Sequence, residues 1–206
     1  MKVKIRRGIS LLTAYLLILF VLTGCEAAEV VIEEPTISVS ETGEVIFYMV
    51  EDFTGDRYSV EGLEQMAREE ITSYNSSSAK SLGVVTLEEV KMSEETGTNA
   101  IITLKFESAA AYTAYTGLDL FYGTIEQAKA SGYDLDVSLV SGKDASSIIG
   151  KSEILNMGSN HILIAEGNMQ VISPKKIQYY SDNTALVTSS CVNSEVDSGL
   201  SYIIMK

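Results

Sequence analysis

Beyond residue 43, the first half of the chain alternates between strand-like and helix-like patterns of apolar positions. Runs of β-branched, aromatic and alternating apolar residues predict strands at 44–50, 84–92 and 100–106. The turn-rich stretch 93–99 predicts that the last two strands form an antiparallel hairpin. A stripe of apolar residues at spacings of three and four predicts an amphipathic helix, with Ser59 as its N-cap. Its members are Leu63, Met66, Ala67, Ile71 and Tyr74.

Two shorter helices are predicted from their caps. Ser108 can cap a helix that continues to about Tyr115 and stops at Gly117. Thr124 and Gln127 have the spacing of a capping box, which predicts a third helix that ends at Gly132. A further strand is predicted at 134–140, whereas the pattern of 141–160 is ambiguous and allows one or two helical turns.

The C-terminal third has the pattern of consecutive strands. The Gly167-Asn168 pair is typical of a hairpin turn between the first two of them. Helices among strands, followed by a run of strands, predict an α+β fold. We expect a mostly antiparallel sheet with two or three short helices in a single domain. The strands of the C-terminal third are predicted at 161–166, 169–172, 176–180, 185–191 and 199–205.

The first 24 residues have the pattern of an export signal. Four basic residues precede an uncharged apolar run at 9–22, and small or polar residues follow it. Leu22-Thr23-Gly24-Cys25 stands directly after this run and resembles the lipobox of bacterial lipoproteins. The resemblance implies cleavage between Gly24 and Cys25 and a diacylglyceryl group on the Cys25 sulfur.

An uncleaved membrane helix is the alternative for this segment. The stretch without charge from Gly8 to Cys25 could just span a bilayer, since a spanning helix needs roughly 17–25 residues. The strongly apolar part, however, has 14 residues. It reaches about 21 Å as a helix, short of a hydrocarbon core of about 30 Å. The pattern therefore favours the lipoprotein signal.

These features divide the chain into three parts. They are a signal peptide at 1–24, an acidic tether at 25–43 and one extracytoplasmic α+β domain at 44–206. We expect a protein that is anchored in the cell membrane by the lipid on Cys25 and faces the extracytoplasmic side, because two acyl chains hold stably. The layout resembles that of small α+β lipoproteins of Gram-positive anaerobes, and this resemblance transfers no active-site residue.

Charge excludes several classes of partner. Removal of residues 1–24 leaves 11 Lys and Arg against 28 Asp and Glu, a formal charge of −17. Binding to nucleic acid and polybasic binding to anionic lipid both need a positively charged surface. Cys191 would be the only cysteine left after lipidation of Cys25. We expect no disulfide within the chain and a buried Cys191 that packs as a small apolar residue.

Two short motifs suggest chemistry without completing it. Ser77-x-x-Lys80 and Ser181-Asp182-Asn183 resemble elements of the penicillin-binding and β-lactamase family, in which the Ser is the nucleophile and the Lys activates it. The family's Lys-Thr-Gly element is missing downstream of Asn183. The one histidine, His161, begins a predicted strand and has no second histidine to complete a zinc site. We therefore assign no catalytic residue, no metal ligand and no cofactor.

Acidic and aromatic residues leave two functional hypotheses open. Asp134 and Asp136 would share one face of a strand, where a cation could bridge them, but turn and surface polarity at a strand start is the favoured interpretation. Tyr112, Tyr115 and Tyr122 could form a surface that stacks on sugars or binds a protein, or the rim of a core. We favour a non-catalytic module that binds an envelope glycan or a protein partner. The alternative is a carboxylate-dependent hydrolase acting on an envelope or extracellular polymer.

Replacement of Cys25 by Ala tests the anchor. We expect Cys25→Ala to move the protein out of the membrane fraction, because no thiol remains to carry the lipid. Cys191→Ala is the matched control and should leave the distribution unchanged. Mass spectrometry of protein from its native host should find a lipid-modified Cys25 as the first residue. An intact Met1 or an unmodified N-terminus would contradict the assignment.

Overall fold

The structure is a computed structural model that describes residues 32–54, 59–77, 83–194 and 199–206. The residues of the export signal, including Leu22-Thr23-Gly24-Cys25, lie outside this described part, so their assignment stays a prediction. Residues Ile32–Lys206 form one compact unit. None of the helices within the described residues is both long enough and apolar enough to cross a membrane.

Seven strands form the first sheet, in the order β11-β12-β9-β1-β2-β4-β3. All neighbours are antiparallel except β1 and β9, which run parallel. The strands of this sheet are β1 (Thr36–Val39), β2 (Val45–Asp52), β3 (Val85–Met92), β4 (Asn99–Phe106), β9 (Met169–Ile172), β11 (Thr184–Thr188) and β12 (Cys191–Ser194).

Six strands form the second sheet, which is antiparallel throughout, in the order β5-β8-β13-β10-β6-β7. Strand β5 is one edge of this sheet and pairs only with β8 within it. The strands are β5 (Leu120–Thr124), β6 (Leu139–Ser141), β7 (Ile148–Ile149), β8 (His161–Glu166), β10 (Ile177–Ser181) and β13 (Leu200–Met205).

Four helices complete the described fold: α1 (Val60–Ser76), α2 (Ala109–Thr116), α3 (Ile125–Ala130) and α4 (Lys151–Asn156). The predicted caps of the first three are confirmed. The Ser59 and Ser108 hydroxyls accept hydrogen bonds from the amides of Gly62 and Ala111, at 3.1 and 3.2 Å. Gly117 ends α2 in the left-handed conformation. A capping box, described with the groove below, opens α3.

The two sheets share a core because their inner faces pack against one another. Alternate residues of β1, β2 and β4 point into it, among them Ile37, Phe47 and Leu104, and they meet Leu163 and Ile203 of the six-stranded sheet. Helices α1 and α2 add apolar residues to the same core. The other face of the six-stranded sheet has a second core, which α3, α4 and the loop before β6 cover. Most of the energy of folding comes from these two buried layers.

The α+β class with a mostly antiparallel arrangement is confirmed, and the pairing of two strands is not as predicted. The expected hairpin between β8 and β9 is wrong, because β8 belongs to the six-stranded sheet and β9 to the seven-stranded one. Gly167, with a φ of 110°, turns the chain from one sheet to the other. The inner residues of the two strands therefore face each other across the core and are not neighbours in one sheet.

Two other predicted strands have different bounds. The prediction at 134–140 is wrong for most of its length, since only Leu139–Ser141 is strand. The single strand predicted at 185–191 is a hairpin of β11 and β12. Ser189-Ser190 makes its turn, and the amide of Ser190 donates to the Thr188 hydroxyl at 3.2 Å. The ambiguous stretch 141–160 contains β7 and α4.

The boundary predicted between tether and domain is also wrong, because β1 lies within 25–43 and Ile37 is fully buried. Glu34, just before β1, is held on the seven-stranded sheet. Its carboxylate accepts hydrogen bonds from the Gln170 side chain at 2.7 Å and from the Asn193 side chain at 3.2 Å. The backbone oxygen of Pro35 accepts from the Gln170 amide at 2.9 Å. The folded domain therefore begins before residue 44.

Tyr112 of α2 is a central residue of the shared core. Its ring is 1% exposed and makes edge-to-face contacts with Phe47 and Phe106, each at a centroid distance of 5.4 Å. We expect Tyr112→Ala to lower the free energy of unfolding by about 3–5 kcal/mol, because it removes both ring contacts and leaves a cavity. Chemical denaturation at neutral pH measures this loss.

Tyr112→Phe is the matched variant, since it keeps the ring and removes only the hydroxyl. Burial raises the pKa of Tyr112 to about 12. Above pH 10 an unfolded tyrosine loses its proton while the folded one keeps it, so stability should fall as the pH rises from 10 to 12. Tyr112→Phe should be close to wild type at neutral pH and show a shallower fall above pH 10. Equal slopes for the two proteins would contradict the burial of this hydroxyl.

Candidate functional site

An open groove of about 830 Å³ runs along the outer edge of β5. The turn between β1 and β2 forms one wall with Thr42 and Gly43, and the small residues of α2 form another. The loop after α3 and the first residue of β8 complete the lining. Four side chains of the lining have aromatic rings, which give a ligand the largest contact surface: Phe121, Tyr122, Tyr133 and His161. A volume of this size is in the range of ligand sites in proteins.

The alternation of β5 places two of these rings on opposite sides of the strand. Tyr122 packs against the core shared by the sheets, and Phe121 packs against the second core. Gly123 follows them where space is tight. A Cβ atom on Gly123 would lie 2.8 Å from Oε1 of Gln127 and 2.9 Å from the Phe121 ring. Glycine therefore lets the capping box of α3 close directly beside the aromatic pair.

Tyr122 and His161 form the first aromatic contact of the groove. Their ring centroids are 5.4 Å apart with an interplanar angle of 31°, and both side chains are half-buried. Gly43 has a φ of 88°, and a Cβ built on it would lie 3.6 Å from Cδ1 of Tyr122. The β1–β2 turn therefore passes close to Tyr122, and His161 contacts the Tyr122 ring.

Phe121 and Tyr133 form the second contact, with centroids 5.1 Å apart. The Tyr133 hydroxyl donates a hydrogen bond of 2.7 Å to Oδ1 of Asp119. Burial raises the pKa of Tyr133, and the Asp119 carboxylate raises it further. The Tyr133 phenol therefore keeps its proton at neutral pH.

One residue of β5, Tyr122, can offer its backbone N–H and C=O groups to a ligand in the groove. In an antiparallel ladder the N–H and C=O groups of alternate residues point away from the partner strand, and at β5 these belong to Leu120, Tyr122 and Thr124. The Leu120 amide donates to the Thr113 hydroxyl at 3.0 Å, and the Thr124 amide donates to Oε1 of Gln127 at 2.8 Å. A peptide strand could not pair along this edge without breaking these two bonds, whereas a small polar ligand could reach Tyr122 between them.

The three tyrosines suggested by sequence have three different environments. Tyr112 is buried in the core, as described above. Tyr115 packs edge-to-face on Tyr74 at 4.9 Å and donates to Glu70 at 3.1 Å. Only Tyr122 lines the groove. His161, the first residue of β8, both contacts Tyr122 and lines the groove.

Other candidate residues have structural contacts. Asp134 accepts a hydrogen bond from the Asp136 amide at 2.9 Å, and Asp136 pairs with Lys151 at 3.1 Å. These aspartates form a turn and an exposed ion pair before β6, as the simpler interpretation predicted. Within the described residues, no group of three or more His, Cys, Asp or Glu side chains is placed to hold a metal ion.

The penicillin-binding-like motif is divided between distant elements. Ser77 ends α1, where its hydroxyl donates to the Tyr74 carbonyl at 2.6 Å, and Lys80 lies outside the described residues. Ser181 is buried in β10 and accepts from the Tyr202 amide at 2.7 Å. Asp182 and Asn183 form the turn to β11. Both described serines of the motif therefore make local structural hydrogen bonds.

Cys191 is fully buried in β12, which agrees with its predicted role in packing. Burial raises the pKa of its thiol to about 11, with a smaller contribution from Glu34. At neutral pH the group is therefore a neutral thiol, which is a poor nucleophile. The lipidation residue Cys25 lies outside the described part of the chain.

Sequence analysis missed Phe121, Tyr133 and Asp119. Asp119 and Tyr133 are 14 positions apart, and only α3 and its flanking turns bring them together. The adjacent rings of Phe121 and Tyr122 before a glycine were the available signal. Asp119 is the one carboxylate among the described lining residues. Glycoside hydrolysis would need a second acid, which this described lining does not supply.

The bond between Tyr133 and Asp119 should contribute measurably to stability. We expect a double-mutant cycle with Tyr133→Phe and Asp119→Ala to give a coupling energy of about 1 kcal/mol, because the bond is charge-assisted and half-buried. Chemical denaturation of the four proteins measures it. A cycle with Tyr115→Phe and Asp119→Ala is the control and should be additive. Additivity of the first cycle would show that this bond is absent in solution.

No described protein family, no curated protein and no solved structure matches this chain.

Proposed function

We propose that this chain is a lipid-anchored protein of the cell envelope whose β5 groove binds carbohydrate without catalysis. The observation that carries the proposal is the set of aromatic rings along an open edge strand. Phe121, Tyr122 and Tyr133 present apolar faces, and the backbone and hydroxyl groups around them can bond to hydroxyls. Sugar rings combine apolar faces with hydroxyl groups at their rims and therefore match this surface.

The shape of the groove favours a sugar over a peptide. An extended peptide binds a sheet edge through a series of backbone hydrogen bonds. At β5, Thr113 and Gln127 already occupy the outward amides on both sides of Tyr122. Only the backbone groups of Tyr122, which lies between the two aromatic contacts, remain for a ligand. They suit a ring-sized ligand with a few hydroxyls better than they suit an extended peptide.

Isothermal titration of the full-length protein in detergent micelles tests the proposal. The probes are hexamers of glucose, of N-acetylglucosamine and of glucosamine. We expect at least one hexamer to bind and Tyr122→Leu to weaken that binding about tenfold, because the variant keeps bulk but loses the aromatic face. Tyr48→Leu is the control, since Tyr48 is a half-exposed residue of β2 outside the groove.

Two outcomes would contradict carbohydrate binding in this groove. One is the absence of binding by all three hexamers at millimolar concentration. The other is an equal loss of affinity in Tyr122→Leu and Tyr48→Leu. Thermal unfolding of both variants establishes that they are folded before the titration.

A further inference from the structure

The described lining of the groove contains one carboxylate, that of Asp119. Lys and Arg are absent from this described lining, in which His161 is the one basic side chain. The chain as a whole has a formal charge of −13. The local and the global charge therefore have the same sign, and both favour a cationic ligand over an acidic one.

Asp119 is held firmly at the base of the groove. Its amide donates to Oε2 of Glu166 at 3.0 Å, and its carbonyl accepts from the Glu166 amide at 2.9 Å. The Glu166 carboxylate therefore lies against the Asp119 backbone. The Tyr133 hydroxyl occupies Oδ1 of Asp119. Its Oδ2 makes no hydrogen bond to a described residue, which leaves it for a donor on the ligand.

Charges around the β1–β2 turn do not reverse this potential. Lys105 pairs with Glu44 at 2.8 Å, and Lys175 approaches Glu41 at 3.7 Å. Both lysines are therefore matched by acids of the same turn. Burial raises the pKa of Tyr122, and the charge of Glu41 makes a smaller contribution in the same direction.

The aromatic rings add to the attraction for a cation. The face of an aromatic ring carries partial negative charge, and an ammonium group within about 6 Å of its centre is attracted to it. Phe121 and Tyr133 lie in contact beside Asp119, to which Tyr133 is bonded. A ligand ammonium that reaches Oδ2 of Asp119 would therefore be close to rings as well as to the carboxylate.

We propose that the groove prefers a sugar with a free amino group, such as a hexosamine without its acetyl group, over neutral and acidic sugars. This inference rests on the proposed carbohydrate-binding function. The ammonium group donates to Asp119 while the sugar ring stacks on the aromatic side chains. An N-acetyl group has no charge to pair with the carboxylate, and a uronic acid would be repelled by it.

Titration of the full-length protein with hexamers of glucosamine and of N-acetylglucosamine tests this preference. The pH is 6, at which amine groups are protonated, and the ionic strength is low. We expect the glucosamine hexamer to bind about tenfold more tightly. Asp119→Asn should bring the two affinities within about twofold of each other. Asp182→Asn is the matched control, because Asp182 is an exposed aspartate in the β10–β11 turn.

A second measurement uses the wild-type protein and does not depend on the folding of a variant. Raising the salt from 0.1 to 1 M shortens the screening length from about 10 to about 3 Å. The preference for the glucosamine hexamer should then fall severalfold, while the affinity for the N-acetylglucosamine hexamer stays nearly constant.

The outcomes separate this inference from the function on which it rests. Equal affinity for the two hexamers, or a preference that Asp119→Asn or 1 M salt leaves intact, would overturn the preference for an amino group and leave sugar binding in place. A loss of preference in Asp182→Asn equal to that in Asp119→Asn would overturn the role of this groove carboxylate. Failure of glucose, N-acetylglucosamine and glucosamine hexamers to bind at all would overturn the proposed function.

Discussion

The groove depends on the packing of α2 against the shared core. Tyr112 is locked between Phe47 and Phe106, so α2 cannot shift along the sheet without losing two ring contacts. The next residue, Thr113, binds the backbone of Leu120 through its hydroxyl. Core packing thus fixes the start of β5, and β5 carries Phe121 and Tyr122 into the groove. A surface feature is therefore controlled by an interior one.

The two edges of β5 have different hydrogen-bond partners. One edge forms a ladder with β8, whose residues are buried on both faces. The other edge is covered at Leu120 and Thr124 by single side-chain bonds and stays open at Tyr122. Because most of its outward amides are already hydrogen-bonded, this edge does not pair readily with another strand. Such pairing is the usual hazard of an exposed edge. The same partial closure makes a small binding site possible.

Charge and aromatic surface give the groove its chemical character together. Asp119 accepts a hydrogen bond from the Tyr133 hydroxyl, and burial together with this carboxylate raises the pKa of Tyr133. In an acidic chain without Lys or Arg in the described lining, the Asp119 carboxylate favours neutral or cationic ligands, and the rings favour ligands with a flat apolar face.

By itself, the sequence determined the local elements of this protein. The caps at Ser59, Ser108 and Thr124 were predictable because a capping bond joins residues only three positions apart, and so was the hairpin of β3 and β4. The amphipathic stripe of α1 was predictable for the same reason, except at Met66, which was placed in the stripe but is 62% exposed. The export signal and Cys25 rest on sequence alone, since they lie outside the described residues.

Only the tertiary structure decided which strands became neighbours and which side chains met. The Gly167-Asn168 turn looks the same from sequence whether the chain returns to its own sheet or crosses to another. The contact of Asp119 with Tyr133 and that of Tyr122 with His161 join residues 14 and 39 positions apart. Such contacts form because two apolar faces bury each other. Which faces pack together depends on the apolar area that the whole chain buries, and no local sequence pattern determines that area.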